Sequence, residues 1–252
     1  MELIKGNCLE KLKDIPDKSV DLAYMDLCYG QTACKWDKKF TKDEWVIFWK
    51  ELKRVARNDR TPFFFSCTTK FGFDIIESNK KWFRWDLVWK KNRAAGFLNA
   101  YKLPMRKHEM IYCFSKKCPE YDVSSHSEYK KEQACKIDSE IWNLKNNVVS
   151  AKRHKVVLPN SDITPPPIDI DEEEPSSWCE FKNDEKTGHR TAKPVALMEF
   201  LLKYWCKEGG TVLDPTMGSG SMGIACKKMN RKFIGIELND DIYELAKKRI
   251  GV

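Results

Sequence analysis

Nowhere in the 252 residues is there an uninterrupted apolar stretch near the ~18 residues that a bilayer-spanning helix needs, so no membrane span is expected. The opening decapeptide, MELIKGNCLE, lacks the apolar core of a secretory leader. Ten cysteines are present, at 8, 28, 34, 67, 113, 118, 135, 179, 206 and 226, but no two form a CxxC pair. Zinc ribbons are built on such pairs, so no structural metal is expected. Scattered single cysteines without a leader read as reduced thiols of a cytoplasmic protein. Disorder is excluded as well: 42% of the residues are hydrophobic and 33% charged, an ordinary globular balance.

What is present is a mild excess of positive charge, +8 overall. It is concentrated. Between Lys80 and Lys107 stand nine Lys/Arg against one acid, Asp86, a net +8 that equals the excess of the whole chain. Trp82, Phe83, Trp85, Trp89, Phe97 and Tyr101 interleave with those charges. Basic side chains among aromatics fit contact with a polyanion, and Lys90, Lys91, Arg93, Arg106 and Lys107 are the candidate phosphate contacts. Lys90, Lys91 and Arg93 directly follow an expected strand, Trp85–Trp89, which would put them on a loop at the carboxyl edge of a sheet.

Short apolar runs alternate with amphipathic stretches. Strands are expected at Met1–Ile4, Val20–Met25, Pro62–Cys67, Trp85–Trp89, Met110–Phe114, Thr211–Leu213 and Phe233–Leu238. Helices fit Cys8–Leu12, Thr41–Arg57, Pro194–Trp205, Ser219–Met229 and Asp240–Ile250. Thr41 and Glu44 have the spacing of a capping box, and Pro194 suits a first helical position. This alternation predicts an α/β fold on a mostly parallel sheet. From about Ser115 to Gly188 the periodicity fades, through TPPP at 164–167 and a solvated acidic run at Asp169–Glu174.

Three short segments carry chemistry. Leu213-Asp214-Pro215-Thr216-Met217-Gly218-Ser219-Gly220 follows a strand and opens a helix, and Gly218, Gly220 and Gly223 satisfy GxGxxG. With Glu237 ending the next strand, this reads as a site for an adenosine-containing cofactor without saying which one. Asp26-Leu27-Cys28-Tyr29-Gly30 places an acid and an aromatic directly after a buried strand, where open α/β sheets bind ligands. His189-Arg190-Thr191-Ala192-Lys193-Pro194 precedes a helix.

Taken together these segments resemble the DNA amino-methyltransferases. Asp26–Gly30 is similar to their DPPYG motif, HRTAKP at 189–194 to HxTxKP, LDPTMGSGS at 213–221 to LDPFxGSGT, and RKFIGIEL at 231–238 to R-x-F-I-G-I-E. MRKHEMIYCFSK at 105–116 resembles a further strand of the family. The catalytic motif precedes the cofactor motif, as in the β class. The resemblance implies a Rossmann-like seven-stranded, mostly parallel sheet in circularly permuted order. Residues 1–116 would form the catalytic half, 117–187 an inserted target-recognition region, and 188–252 the cofactor-binding half. The chain would enter at the third strand and lay down the first two last.

The resemblance also implies the activity: transfer of a methyl group from S-adenosylmethionine to adenine N6 of a base flipped out of double-stranded DNA. Asp26 and the Leu27 carbonyl would accept the amine hydrogens, Tyr29 would stack on the base, and Cys28 completes the catalytic loop. Cofactor binding would fall to Asn7, Cys8, Thr191, Lys193, Asp214, Thr216, Gly218, Ser219, Gly220 and Glu237. No metal is required. A second copy of the chain and a cognate restriction endonuclease are partners the family admits.

The departures are specific. Leu27 and Cys28 replace two prolines, which predicts a looser loop. Thr216 stands where the family has Phe, and Asn7 where it has Asp. They leave room for a weakened or inactive DNA-binding homologue. The cytosine-N4 enzymes usually carry Ser in place of Asp26. A cytosine-C5 nucleophile at Cys28 is disfavoured because Leu27 is not Pro. GxGxxG alone would also allow a nicotinamide-dependent oxidoreductase.

Overall fold

The computed structural model describes residues 1–31, 37–96, 100–122, 177–184 and 192–252. The chain divides into two compact units, Met1–Tyr121 with Ser176–Val252, and Asp122–Pro175. The second lies almost wholly outside the described residues. The acidic run and TPPP fall there, and Thr191, His189 and Arg190 are also outside.

In chain order the strands are β1 (Glu2–Lys5), β2 (Leu22–Met25), β3 (Phe63–Cys67), β4 (Phe83–Ala95), β5 (Arg106–Phe114), β6 (Trp178–Phe181), β7 (Thr211–Asp214) and β8 (Lys232–Glu237). The helices of eight residues or more are α2 (Lys42–Val55), α3 (Thr69–Ser78), α4 (Val195–Trp205), α5 (Ser221–Lys228) and α6 (Asp240–Ile250); a single turn, α1 (Cys8–Lys11), precedes them. The sheet order is β1-β8-β7-β2-β3-β5-β4-β6. Among the described strands only β5 runs antiparallel, pairing with β3 and β4. The late strands β7 and β8 sit between β1 and β2, so the permuted order expected from the motifs is the order observed.

The sheet has eight strands where seven were expected. The eighth, β6, comes from the region read as insert and pairs parallel with β4, Val88 opposite Trp178 and Lys91 opposite Phe181. β4 is also far longer than Trp85–Trp89. It continues as Lys90–Ala95, so Lys90, Lys91 and Arg93 stand on a strand and not on a loop. Its last residues are exposed, which removes the apolar signal that marks a strand in sequence, yet they remain in the ladder with β5 through a bulge between Lys90 and Ala95.

Alternation along the central strands builds two cores. Leu22 and Tyr24 of β2 and Phe64 of β3 face a cluster completed by Leu197, Leu201, Met222 and Ile250, from α4, α5 and α6. Ala23, Met25, Phe63 and Phe65 face the opposite cluster, with Trp45, Phe48 and Leu52 of α2 and Phe71 and Ile75 of α3. The two-residue period of a strand thus feeds helices on both faces. Helix ends follow their side chains. Thr41 and Glu44 close the expected capping box on α2. Asn7 caps α1 by accepting the Leu9 N–H at 2.9 Å. Pro194 is the N-cap of α4, one position before the helix.

Candidate active site

Three strand ends meet. β2 delivers Asp26, β7 delivers Asp214, and β8 ends on Glu237, all at the carboxyl edge of neighbouring parallel strands. Between them lies a cavity of about 900 Å³. Of the expected site residues, Asn7, Cys8, Asp26, Leu27, Cys28, Lys193, Asp214, Thr216, Gly218, Ser219 and Glu237 line it. Tyr24, Asp240 and Asp241, not foreseen from sequence, line it too.

The loop that follows β2 is anchored at both ends. The Asp26 N–H donates to Thr216 Oγ1 at 3.0 Å. The N–H groups of Gly30 and Gln31 donate to the two oxygens of Asp37 at 2.7 and 2.9 Å. Leu27 is buried in the core beneath α2. The expectation of a loose loop followed from the missing prolines, but buried leucine and these side-chain acceptors hold it instead.

The Asp26 carboxylate is engaged on both oxygens. Tyr29 donates its hydroxyl to Oδ1 at 2.8 Å, and Lys193 Nζ reaches Oδ2 at 2.6 Å. The Tyr29 ring stacks on Phe71, with centroids 5.2 Å apart, and does not line the cavity. Burial pushes the Tyr29 and Tyr24 hydroxyls well above the usual phenol range, so both stay protonated. Tyr24 in turn shares a 2.6 Å hydrogen bond with Ser66.

On the cofactor-motif side, Glu237 accepts the Gly218 N–H at 3.1 Å and the Asn239 N–H at 2.8 Å. Gly218 has φ +51°, and a Cβ there would meet nothing closer than the Thr216 carbonyl at 3.9 Å, leaving its backbone open. Burial pushes the Asp214 carboxyl well above the ordinary carboxylate range, against the Thr216 N–H that it accepts at 3.0 Å. Arg249 of α6 holds Ser219 through both its hydroxyl and its carbonyl at 2.6 Å.

Gly220 belongs elsewhere. It does not line the cavity; with φ +82° it caps α5, and a Cβ on it would meet Ile250 Cδ1 at 2.8 Å. Packing against α6 at this left-handed backbone position requires a glycine.

The basic residues divide as well. Arg93 and Lys107 are exposed, and Arg106 is half-buried. Lys90 pairs with Glu180 of β6 at 2.7 Å and lies over the Trp178 ring. Lys91 is mostly buried and forms an ion pair with Glu109 of β5. Glu109 also faces Lys193, at 3.3 Å. The sequence displayed Glu109 in the MRKHEMIYCFSK segment, and the signal was there: an acid followed by the apolar run MIYCF.

This arrangement of motifs on strand ends matches a known family. The DNA methylase profile of the N6/N4 methyltransferases covers residues 20–248. The chain belongs to that family of DNA methylases. Among similar members, the type II methyltransferase M.HinfI of Haemophilus influenzae is 25% identical, over 98% of this chain and 67% of its own length. The DNA adenine methyltransferase YhdJ of Escherichia coli (strain K12) is 24% identical over 99% and 82%. Two solved structures share the methylase fold. M1.HpyAVI in complex with SAM superposes with a TM-score of 0.63 at 19% identity, covering 100% of this chain and 99% of that one. The PvuII cytosine-N4-specific DNA methyltransferase superposes at 0.65, with 15% identity over 98% and 85%. Among the described residues, no helix of this methylase is long and apolar enough to cross a membrane, and no group of three His, Cys, Asp or Glu side chains is placed to hold a metal ion.

Proposed function

We propose that this methylase transfers a methyl group from S-adenosylmethionine to adenine N6 of a target base in double-stranded DNA. The observation that carries the reading is the convergence of Asp26, Gly218 and Glu237 on one cavity. The cavity's chemistry suits that cofactor. Glu237 is a carboxylate fit for a ribose diol, Gly218 leaves room for a ligand to approach its backbone, and Asp241 adds negative charge for a cationic ligand, Asp240 being paired with Lys5 at 2.7 Å. Asn7, whose side-chain oxygen already caps α1, still has its amide group to offer an adenine ring.

When bound, S-adenosylmethionine supplies an already activated methyl group on a sulfonium. The chain's task is the other reactant, because the lone pair of an adenine amine is delocalised into its ring. Each carboxylate oxygen has two acceptor sites. Asp26 can therefore accept an amine hydrogen while it keeps its bonds to Tyr29 and Lys193. The Leu27 carbonyl accepts the second hydrogen. Both acceptors favour a tetrahedral nitrogen and the positive charge that develops on it. One face of Tyr29 is covered by Phe71 and the Lys193 ammonium lies 6.0 Å from the ring centroid, so stacking on the target base requires the part of the ring that these two leave open. Adenine is favoured by Asp at the first motif position and by the likeness to a relative named as an adenine methyltransferase.

The test is long-read sequencing of DNA from cells expressing the chain, beside calorimetric titration of the purified protein with S-adenosylmethionine and with NAD. The expected result is N6-methyladenine at one short sequence, lost in Asp26→Ala, and heat of binding with S-adenosylmethionine alone. A protein that binds S-adenosylmethionine but methylates no DNA would overturn the reading in favour of a DNA-binding homologue. Methylation on cytosine N4 would correct the base.

A further inference from the structure

Glu109 is a buried carboxylate for which the chemistry above has no use. It lies on β5, opposite Trp89 of β4, with only 8% of its surface exposed. An ionised side chain in such a place is unfavourable unless cations meet it. Two do. Lys91 pairs with it from β4, and Lys193 approaches it at 3.3 Å from the segment leading into α4. Burial alone would raise the Glu109 carboxyl's pKa, but the two ammonium groups outweigh it and hold the group below its ordinary value, ionised.

Lys193 is itself buried, and its second partner is Asp26 at 2.6 Å. Four charges of alternating sign thus form a row, Lys91, Glu109, Lys193 and Asp26. It spans four separate stretches of chain and sums to zero. The row has a mechanical meaning. A lysine ammonium is a point charge on a flexible stem. Held by Asp26 alone, it could settle over either carboxylate oxygen or between them. With Glu109 on its other side, it has one place to be, and Oδ1 of Asp26 is left to Tyr29 and to a ligand. Sharing the ammonium between two carboxylates also keeps it from neutralising Asp26 alone.

We propose that Glu109 is a positioning residue for methyl transfer, fixing Lys193 against Asp26 and, through Lys91, tying the catalytic carboxylate to β4, the strand that continues into exposed Arg93. The inference rests on the methyl-transfer reading. It assigns Lys91 to the site and not to phosphate contact, in keeping with a side chain only 17% exposed.

The experiment uses the full chain, methyl transfer to its DNA site, and three variants. Glu109→Gln should lower kcat at least tenfold, with the KM for DNA and the Kd for S-adenosylmethionine within threefold of wild type. Glu109→Asp, which keeps the charge, should recover most of that loss. Lys91→Gln/Glu109→Gln removes two opposite charges together and leaves Lys193 and Asp26 balanced. It guards against a single variant that fails to fold for want of a counter-ion, and it should lose kcat like Glu109→Gln. Wild-type kcat in the double variant would overturn the proposal. So would Glu109→Asp performing no better than Glu109→Gln, or a loss confined to KM. A double variant that does not melt cooperatively would make Glu109 a folding residue and overturn it too. A wild type inactive on every DNA overturns the methyl-transfer reading and this inference with it. An active wild type with unaltered variants overturns this inference alone.

Discussion

The backbone N–H of Asp26 donates to the side-chain hydroxyl of Thr216 at 3.0 Å, joining two loops 190 positions apart in the chain. A phenylalanine, the family's usual residue there, has no atom that could accept this bond. The replacement at 216 and the replacements at 27 and 28 therefore belong together. Where prolines would stiffen the loop from within, this chain pins it from outside.

Thr216→Val keeps the shape and deletes the acceptor. The part-buried Asp26 N–H would be left unpaired, at about 1–3 kcal/mol. Thermal melting should report that loss, and hydrogen exchange should rise at residues 26–30. Unchanged exchange there would mean that Asp37 and buried Leu27 suffice to hold the loop.

Gly220→Ala should destabilise the fold and spare the ligand. Its Cβ would stand 2.8 Å from Ile250 Cδ1, on a backbone at φ +82°. Overpacking of this kind costs about 1–3 kcal/mol, and the left-handed conformation adds roughly 1–2 kcal/mol. Ile250→Val removes the offending methyl and should return part of the stability. Melting curves check both. A large loss of S-adenosylmethionine affinity in the folded variant, with little change in melting, would restore Gly220 to the cavity.

Charge removal should separate the basic residues. Arg93→Gln and Lys107→Gln, both at exposed positions, should weaken binding to all DNA sequences and lower the salt slope by about one unit each. Lys90→Gln should do less, because Glu180 already neutralises Lys90. Filter binding across a salt series measures all three. Equal slopes for wild type and every variant would remove this face from the DNA contact.

Thiol labelling should discriminate among cysteines by burial. Burial pushes the Cys8 thiol up to about 12 and raises Cys28 as well, though both line the cavity. Only the thiolate alkylates readily. Near neutral pH, exposed Cys118 should react with iodoacetamide first among the described cysteines, half-buried Cys28 and Cys8 more slowly, and buried Cys67, Cys113 and Cys226 last. Mass spectrometry of the digested protein gives the order, and early labelling of Cys8 would contradict its burial.

Much of this was written plainly in the chain. Buried parallel strands announce themselves as apolar runs, so β2, β3, β7 and β8 were legible, as was the α2 capping box. Motif order revealed that β7 and β8 enter the sheet beside β1 and β2. In two of the elements that escaped, solvent or brevity erased the pattern. The exposed end of β4 carries Lys90–Ala95, where pairing is by backbone alone. In α3, Gly72 lies against the Tyr112 ring, where a Cβ would come within 2.5 Å, and a helix this short with a glycine inside gives a weak signal. At the site, the motif residues were readable, but Gly220's true neighbour was not. Nor was the partnership of Glu109 with Lys193, because contacts between distant segments leave no local periodicity.

The strand order carries a consequence for how the molecule is made. Among the described strands β1 has a single neighbour, β8, and β2 meets β7 on that same side. A ribosome delivers β1 and β2 early, but the two strands that fill the gap between them emerge more than 180 residues after β1. Until Lys232–Glu237 has left the exit tunnel, β1 has no ladder to join and the cavity lacks a wall. Assembly of the candidate site thereby waits until β8 has been made, and the waiting edges of β1 and β2 are the surfaces a chaperone would have to shield.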